Sequence, residues 1–193
     1  AKINHSPTAI VGALEDLKTL IKNTKEGNIL SLDKNFRNER YGNIILNKKI
    51  IIDGNGHSIE NISFTCDTNE IELNNIVFFN VTTNRVNGGV LQLNGQRISI
   101  NNCIFYNNII NGTSVYEGGA ISVNNSSIET KIVDCYFINN FCSNNAGAIR
   151  WIANNGVLIG CKFIGNTATN SGGAIKWLGT NGLIRDCLFE NNK

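Results

Sequence analysis

The residues best equipped for chemistry in this 193-residue chain are few: two histidines (His5 and His57), six cysteines and 15 carboxylates. Among the carboxylates, Asp134 and Asp186 are the best pair, because they occupy the same place in a repeated motif, two copies apart, with Gly160 in the copy between. Glycoside chemistry by inversion needs two carboxylates about 6.5–9.5 Å apart, whereas stacked copies would put these two on the order of 10 Å apart. No basic residue recurs beside them, and Asn75 and Asn102 fill the same place in other copies. A turn accounts for the position, and no catalytic residue is expected. Asp53-x-Asn55-Gly56 opens like a calcium loop but lacks the downstream Glu, which leaves a plain turn. There is no Cys-x-x-Cys and only two histidines, so neither a metal nor a cofactor is expected.

The motif that carries these residues is Cys-x-Phe-x-x-Asn, present four times: Cys103, Phe105, Asn108; Cys135, Phe137, Asn140; Cys161, Phe163, Asn166; Cys187, Phe189, Asn192. Gly-Gly-Ala-Ile-type segments separate the copies, at Gly118 to Ile121, Ala146 to Ile149 and Gly172 to Ile175. A repeat of about 26 residues is the signature of a stacked solenoid. Ile71-x-Leu73-x-x-Ile76-x-Phe78 is the same motif with Ile for Cys and Val81 for Asn, so the repeat reaches back beyond its obvious copies. Three positions before each Cys stand Leu73, Ile100, Ile132, Leu158 and Ile184. In a further strand Leu91 and Leu93, Ile121 and Val123, Ile149 and Trp151, and Ile175 and Trp177 alternate with Gln92, Ser122, Arg150 and Lys176. Period-two alternation puts the first set inside and the polar set outside.

These columns predict an all-β fold, a right-handed parallel β-helix of about six coils, with three short strands per coil, on the order of 30 Å long. Corners are expected at Asn94-Gly95, Asn155-Gly156, Asn181-Gly182 and the Gly-Gly pairs. The Cys, Phe and Asn columns then read as inward ladders. Each Asn amide satisfies its neighbour one coil away and the corner backbone. The column cysteines read as reduced, stacked small hydrophobes, because the column accepts Ile76; oxidation in neighbouring pairs is the other reading. Cys66 and Cys142 lie outside the column and could pair with each other or with a partner; six cysteines allow 15 pairings, and the sequence does not choose.

At the front, Ile10, Ala13, Leu14, Leu17, Leu20 and Ile21 recur at helical spacing. They predict an amphipathic helix over 9–25, begun by Ser6-Pro7 or Thr8 and stopped by Gly27, after a tail of residues 1–8. Such a helix would cover the open end of the core of a β-helix spanning 26–193. Lys193 falls mid-coil, so the solenoid is expected to continue into more coils or to pair with a neighbour; the absence of Met fits a processed chain or an excised fragment.

Composition excludes several roles. The net charge of +2 is spread without a basic run, which gives no footprint for nucleic acid. No apolar run approaches the ~20 residues of a membrane helix, so no membrane insertion is expected in this segment, and Ala1 to Pro7 is no signal peptide. The 34 Asn residues include six N-x-Ser/Thr sequons, at Asn4, Asn61, Asn80, Asn111, Asn124 and Asn125, compatible with a secreted, glycosylated surface.

One column pair breaks the alternation rule. Flanking each inward Phe, the outward places hold Val77 and Phe79, Ile104 and Tyr106, Tyr136 and Ile138, Lys162 and Ile164. Phe79, Tyr106, Tyr136, Ile138 and Ile164 are the candidate binding residues, since an apolar patch several coils tall is of partner-site size. Corner loops such as 107–116, another domain, or β-propensity alone are the competing explanations. Trp151 and Trp177, alternating with Arg150 and Lys176, read as inward and not as a sugar platform.

Ile50-Ile-Ile-Asp-Gly-Asn-Gly-His57, the helix with its exit Glu26 to Leu32, and the Phe-x-x-Asn and Gly-Gly-Ala-Ile repeats resemble the adhesin-like surface proteins of methanogenic archaea. The two repeat motifs are also similar to those of the chlamydial polymorphic membrane proteins, which are surface adhesins. The resemblance covers nearly the whole chain from Ala9. It implies an extracellular, cell-surface domain that contacts a glycan or protein of another cell, or further copies or domains of itself. The repeats specify fold far more than ligand, because their residues are core and corner positions. A non-binding stalk or self-assembling surface-layer or filament unit is the alternative, and a polysaccharide lyase or hydrolase the third.

Overall fold

The computed structural model describes residues 10–84, 89–112 and 118–193. It begins with α1 (Leu14–Asn23), followed by β1 (Ile29–Ser31), β2 (Phe36–Leu46), β3 (Ile51–Asp53) and β4 (Ser58–Cys66). Eighteen strands of two or three residues follow, to 22 in all, and the strands pair in parallel with the coil before and the coil after. The result is the expected parallel β-helix. Its first wall has seven strands, β1, β3, Glu72–Asn74, Ser99–Asn101, Lys131–Val133, Val157–Ile159 and Leu183–Arg185, one per layer. The second wall carries Val77–Phe79, Ile104–Tyr106, Tyr136–Ile138, Lys162–Ile164 and Leu188–Glu190; the third carries Leu91–Leu93, Ile121–Val123, Ile149–Trp151 and Ile175–Trp177. In the first two layers β2 and β4 run through both of these walls as single long strands. The second and third walls are therefore one sheet at this end and part only where a corner opens after layer two.

A fourth segment per coil, absent from the three-strand expectation, is a two-residue strand between second and third walls: Thr82–Thr83, Ile109–Ile110, Phe141–Cys142 and Thr167–Ala168. It follows the left-handed corner residue (Asn80, Asn107, Asn139 or Gly165), which bends the chain, and the inward Asn after it (Val81 in the first copy), from which alternation resumes for two residues.

The ladders are in register. Phe78, Phe105, Phe137, Phe163 and Phe189 are consecutive partners, with ring centroids 5.2, 4.9, 4.7 and 4.9 Å apart and nearly parallel planes. Trp151 stacks on Trp177 at 4.3 Å, inside, as the alternation required. Each buried Asn works as a four-point clasp. The Asn140 amide nitrogen donates to Phe105 O (3.0 Å) and to Asn166 Oδ1 (2.9 Å), while its Oδ1 accepts from the backbone and side-chain nitrogens of Asn108 (3.2 and 2.8 Å). Asn166 and Asn192 repeat the pattern one layer on.

All six cysteines are free. Backbone N–H groups of Cys103 and Cys135 point at the sulfur one layer on, at 3.4 and 3.5 Å. Burial pushes the Cys66 and Cys135 thiols well above the usual thiol range; for Cys161 the hydrogen-bonded thiol of Cys135 raises it first and burial second. Cys66 stacks between Leu46 and Leu93 in the third wall, and Cys142 between Ile110 and Ala168 in the corner strand, three layers further on. That separation, roughly 14 Å along the axis, rules out the pairing of Cys66 with Cys142 allowed from sequence, since bridged Cα atoms lie within about 7 Å.

The corners run as columns of left-handed residues. Asn75, Asn102, Asp134, Gly160 and Asp186, all with φ between 51° and 66°, turn the chain from first to second wall. Asn61, Asn80, Asn107, Asn139, Gly165 and Asn191 turn it out of the second. Asn tolerates this region better than most residues, which is one use for so much of it. The third corner differs from expectation at Asn94-Gly95: the left-handed residue there is Arg97, in line with Glu70, Glu129, Asn155 and Asn181. Gly95 is required for another reason, since a Cβ on it would lie 1.8 Å from Thr68 O in the preceding layer.

The helix is shorter than the 9–25 expected. Gly12 pairs in parallel with Phe36, donating to Asn35 O at 2.8 Å and accepting from Arg37 N at 3.0 Å, so residues just before α1 belong to the sheet. The first turn is closed by the Asp16 carboxylate, which accepts from Ala13 N at 2.8 Å. Ile10, assigned from sequence to the helix's apolar face, is 78% exposed. The tail 1–8 with its start signals Ser6, Pro7 and Thr8, together with His5, Ala9 and the sequon at Asn4, lies outside the described residues. Because Gly12 extends the sheet one layer beyond β2, α1 lies across the end of the stack and buries Leu17 and Ile21 in the common core. Lys48 closes its far end by donating to Lys22 O (3.1 Å) and Thr24 O.

Candidate functional site

The second wall presents two outward columns. One runs Val77, Ile104, Tyr136, Lys162; the other runs Glu60, Phe79, Tyr106, Ile138, Ile164, Glu190. Strand pairing aligns these side chains one per layer at ~4.8 Å, so neighbours cover each other's flanks while their tips remain open. Tyr106 and Tyr136 are 40% and 38% exposed, and Phe79, Ile138 and Ile164 are half-buried. The Lys162 ammonium lies 5.0 Å from the centroid of the Tyr136 ring, a cation–π contact that fixes its position. The structure therefore brings all five sequence-derived candidates onto one wall. The far part of the loop 107–116, Tyr116 included, lies outside the described residues.

Two residues were missed. Ile109 and Phe141 point outward from the corner strand as consecutive partners, and Ile109 is exposed, so the apolar band turns the corner beside Tyr106. The signal was available: each follows the inward Asn directly and must face out. The sequence also placed the polar set of the third wall outside, but Ser122 and Arg150 are only 1% and 7% exposed. They face away from the core as expected and are then overlaid by the glycine-rich segments; Gly118 N donates to Ser122 Oγ at 3.1 Å.

Asp134 and Asp186 stand in one corner column, two layers apart. The Asp134 carboxylate leans over Gly160, its Oδ1 2.2 Å from where a Cβ of that residue would be. Asp186 is turned to Arg185, 3.4 Å away and exposed. The corner explains both positions, and the two carboxylates do not converge on a common point. Asp53 forms its turn by accepting from Asn55 N (2.9 Å) and Asn75 Nδ2 (3.1 Å). His57 contacts Asn35 Oδ1 at 3.2 Å. Among the described residues no three His, Cys, Asp or Glu side chains gather as metal ligands would.

No known protein family matches the chain, and no curated protein matches it either. The likeness to adhesin-like surface proteins stands on the motifs quoted above alone.

Proposed function

We propose that this chain is an extracellular, cell-surface adhesin domain whose second wall touches a glycan or protein of another cell. One observation carries the reading: one outward column of the second wall is apolar from Phe79 through Tyr106 and Ile138 to Ile164, three successive layers carry an outward aromatic ring (Phe79, Tyr106, Tyr136), and the tyrosines are open to solvent. Alternation should have placed polar residues there, and an uncovered apolar band a few hundred Å² in area is the scale of a partner surface. Tyr is also suited to contact, having a flat apolar body with a hydroxyl at its tip. The rest of the molecule spends its distinctive residues on ladders and corners, which leaves outer walls for contact.

The test is the double substitution Tyr106→Ser, Tyr136→Ser. Folding should survive, because neither ring is in the core, while attachment of the purified domain to target cells should fall. Unchanged attachment by a correctly folded double variant would overturn the assignment and favour a non-binding stalk.

A further inference from the structure

The layer that Gly12 begins over Phe36 is left incomplete over the second half of β2. Along residues 42–46 that strand pairs on one side with β4, at Ile62 to Cys66, and among the described residues no strand lies on its other edge. Successive residues of a strand turn their N–H and C=O groups to alternate sides. Leu46 O accepts from Asp67 N at 2.9 Å, so Ile44 and Leu46 face β4 while Asn43 and Ile45 face away from it. Among the described residues the backbone groups of Asn43 and Ile45 have no hydrogen-bond partner. Beside this edge, between β2 and α1, runs a groove of about 430 Å³, walled by Ile21, Ile44 and Ile45 and rimmed by Lys18, Lys22 and Lys48. Ile45 is 57% exposed there. Lys18 is paired with Glu15 at 3.1 Å, and the Lys48 ammonium sits on the last carbonyls of the helix; among the described residues neither Lys22 nor Lys48 meets a carboxylate.

We infer that this edge takes up a short acidic segment of another polypeptide, added to β2 as one more strand with its carboxylates toward Lys22 and Lys48. Two features choose the occupant. Open N–H and C=O groups on every second residue match an extended main chain, as in β-augmentation, and neither a sugar nor a helix presents such a row. The lysines on the rim choose its charge. Ile45, outward and in register with Thr65, adds a place for one apolar side chain of the incoming strand. Length is bounded at both ends. The register shift between Arg37 and Gly42 interrupts the edge on one side, and Lys48, bonded to the helix end, stops it on the other, which leaves an edge for about five residues. The site lies at the helix-capped end, layers away from Tyr106 and Tyr136, so its occupant is independent of what the second wall touches.

Residue-resolved amide hydrogen exchange on the whole chain reads the edge directly. The probe is the end-capped peptide Glu-Asp-Val-Ile-Val-Asp-Glu, with Lys-Lys-Val-Ile-Val-Lys-Lys as its cationic counterpart. In the free protein the amide hydrogens of Asn43 and Ile45 should exchange fast and those of Ile44 and Leu46, bonded to β4, slowly. The acidic peptide should slow Asn43 and Ile45 by about tenfold or more, while the cationic one leaves them fast. Lys22→Glu, at an exposed helix position, should weaken binding of the acidic peptide by about tenfold. Ile45→Pro removes the outward N–H and crowds the edge. Proline is tolerated on an edge strand where its N–H would face solvent, so the thermal midpoint should hold while binding is lost. If Ile45→Pro loses the fold instead, Lys22→Glu and the exchange pattern of the unaltered chain still decide. No slowing at Asn43 and Ile45 with about 1 mM acidic peptide, the weak end of specific binding, overturns the inference and leaves the lysines as guards that keep a bare edge from pairing. Equal protection by the cationic peptide, or binding that leaves the two amides fast, overturns it as well.

Discussion

The second and third walls begin as one sheet and obey the same alternation, yet their outer faces are opposite. The third wall points Gln92, Ser122, Arg150 and Lys176 outward and is overlaid at Ser122 and Arg150; the second points Tyr106, Tyr136 and Ile138 outward, with both tyrosines open. Polar outward residues are thus no sign of solvent. They give an overlying segment something to bond, as Ser122 does for Gly118 N and Lys176 for Asn145 Oδ1 at 2.8 Å. Where the outward residues are apolar, the glycine-rich segments that could cover them would leave their own backbone groups unsatisfied. The difference separates a wall that builds the fold from a wall available for contact.

The comparison sharpens first at Phe137, whose inner face belongs to the core while its neighbours Tyr136 and Ile138 belong to the open wall. Its ring is fully buried between Phe105 and Phe163. Phe137→Ala should cost about 3–5 kcal/mol in denaturant unfolding, the cost of a large buried ring and its cavity. A loss below about 1 kcal/mol would mean that the stack is not a closed core.

Asn140→Leu comes next, at the corner where the open wall ends. It strips the acceptor from the Asn108 backbone N–H and the donor from Phe105 O, both buried. Each orphaned group costs about 1–3 kcal/mol, so a loss on the order of 3 kcal/mol is expected. Ligand attachment measured below the lowered melting temperature should be unchanged, because the amide faces inward.

The ladders were legible in the sequence because a one-dimensional stack turns sequence period directly into spatial contact: Cys, Phe and Asn at fixed offsets can only lie over their counterparts. The outward Tyr and Ile residues were legible for the same reason, as exceptions to a fixed alternation. What the period does not encode is contact between segments outside the repeat. Gly12 joins the sheet through Phe36, a tertiary pairing that shortens α1 against its own apolar pattern. Ser122 and Arg150 are hidden by segments whose path depends on backbone packing. Gly95 looked like a turn glycine and is instead a spacer against Thr68 O, while the turn is made by Arg97, a residue with no preference for it.

On the covered wall the equivalent probe is Gly147→Ala. A Cβ there would lie 1.9 Å from Gly173 O and 2.7 Å from Thr167 N, both backbone atoms of the next layer that no rotamer change can move. Forcing the glycine-rich segments apart should cost about 1–3 kcal/mol, the usual range for overpacking. The damage should be confined to one side: faster proteolysis in the segments over the third wall, with attachment through the second wall retained. Loss of attachment would show that the walls are coupled and that covering one shapes the other.

The smallest effect on stability is expected from Tyr106→Ser, Tyr136→Ser, and that smallness is what gives the variant its value. Both rings lie outside the core and are exposed, and replacing Tyr136 removes its cation–π pairing with Lys162. A surface cation–π pair contributes about 0.5–1 kcal/mol, and open apolar side chains gain little from folding because they stay wet in both states. The melting temperature should therefore move by no more than a few degrees, against a fall of many degrees for Phe137→Ala one residue away. If the double variant unfolds as readily as the Phe variant, the tyrosines are structural and the open wall is part of the core after all. If it folds normally and loses attachment, stability and contact have been separated between two neighbouring residues of one strand, the division of labour that the alternation of Tyr136 and Phe137 sets up.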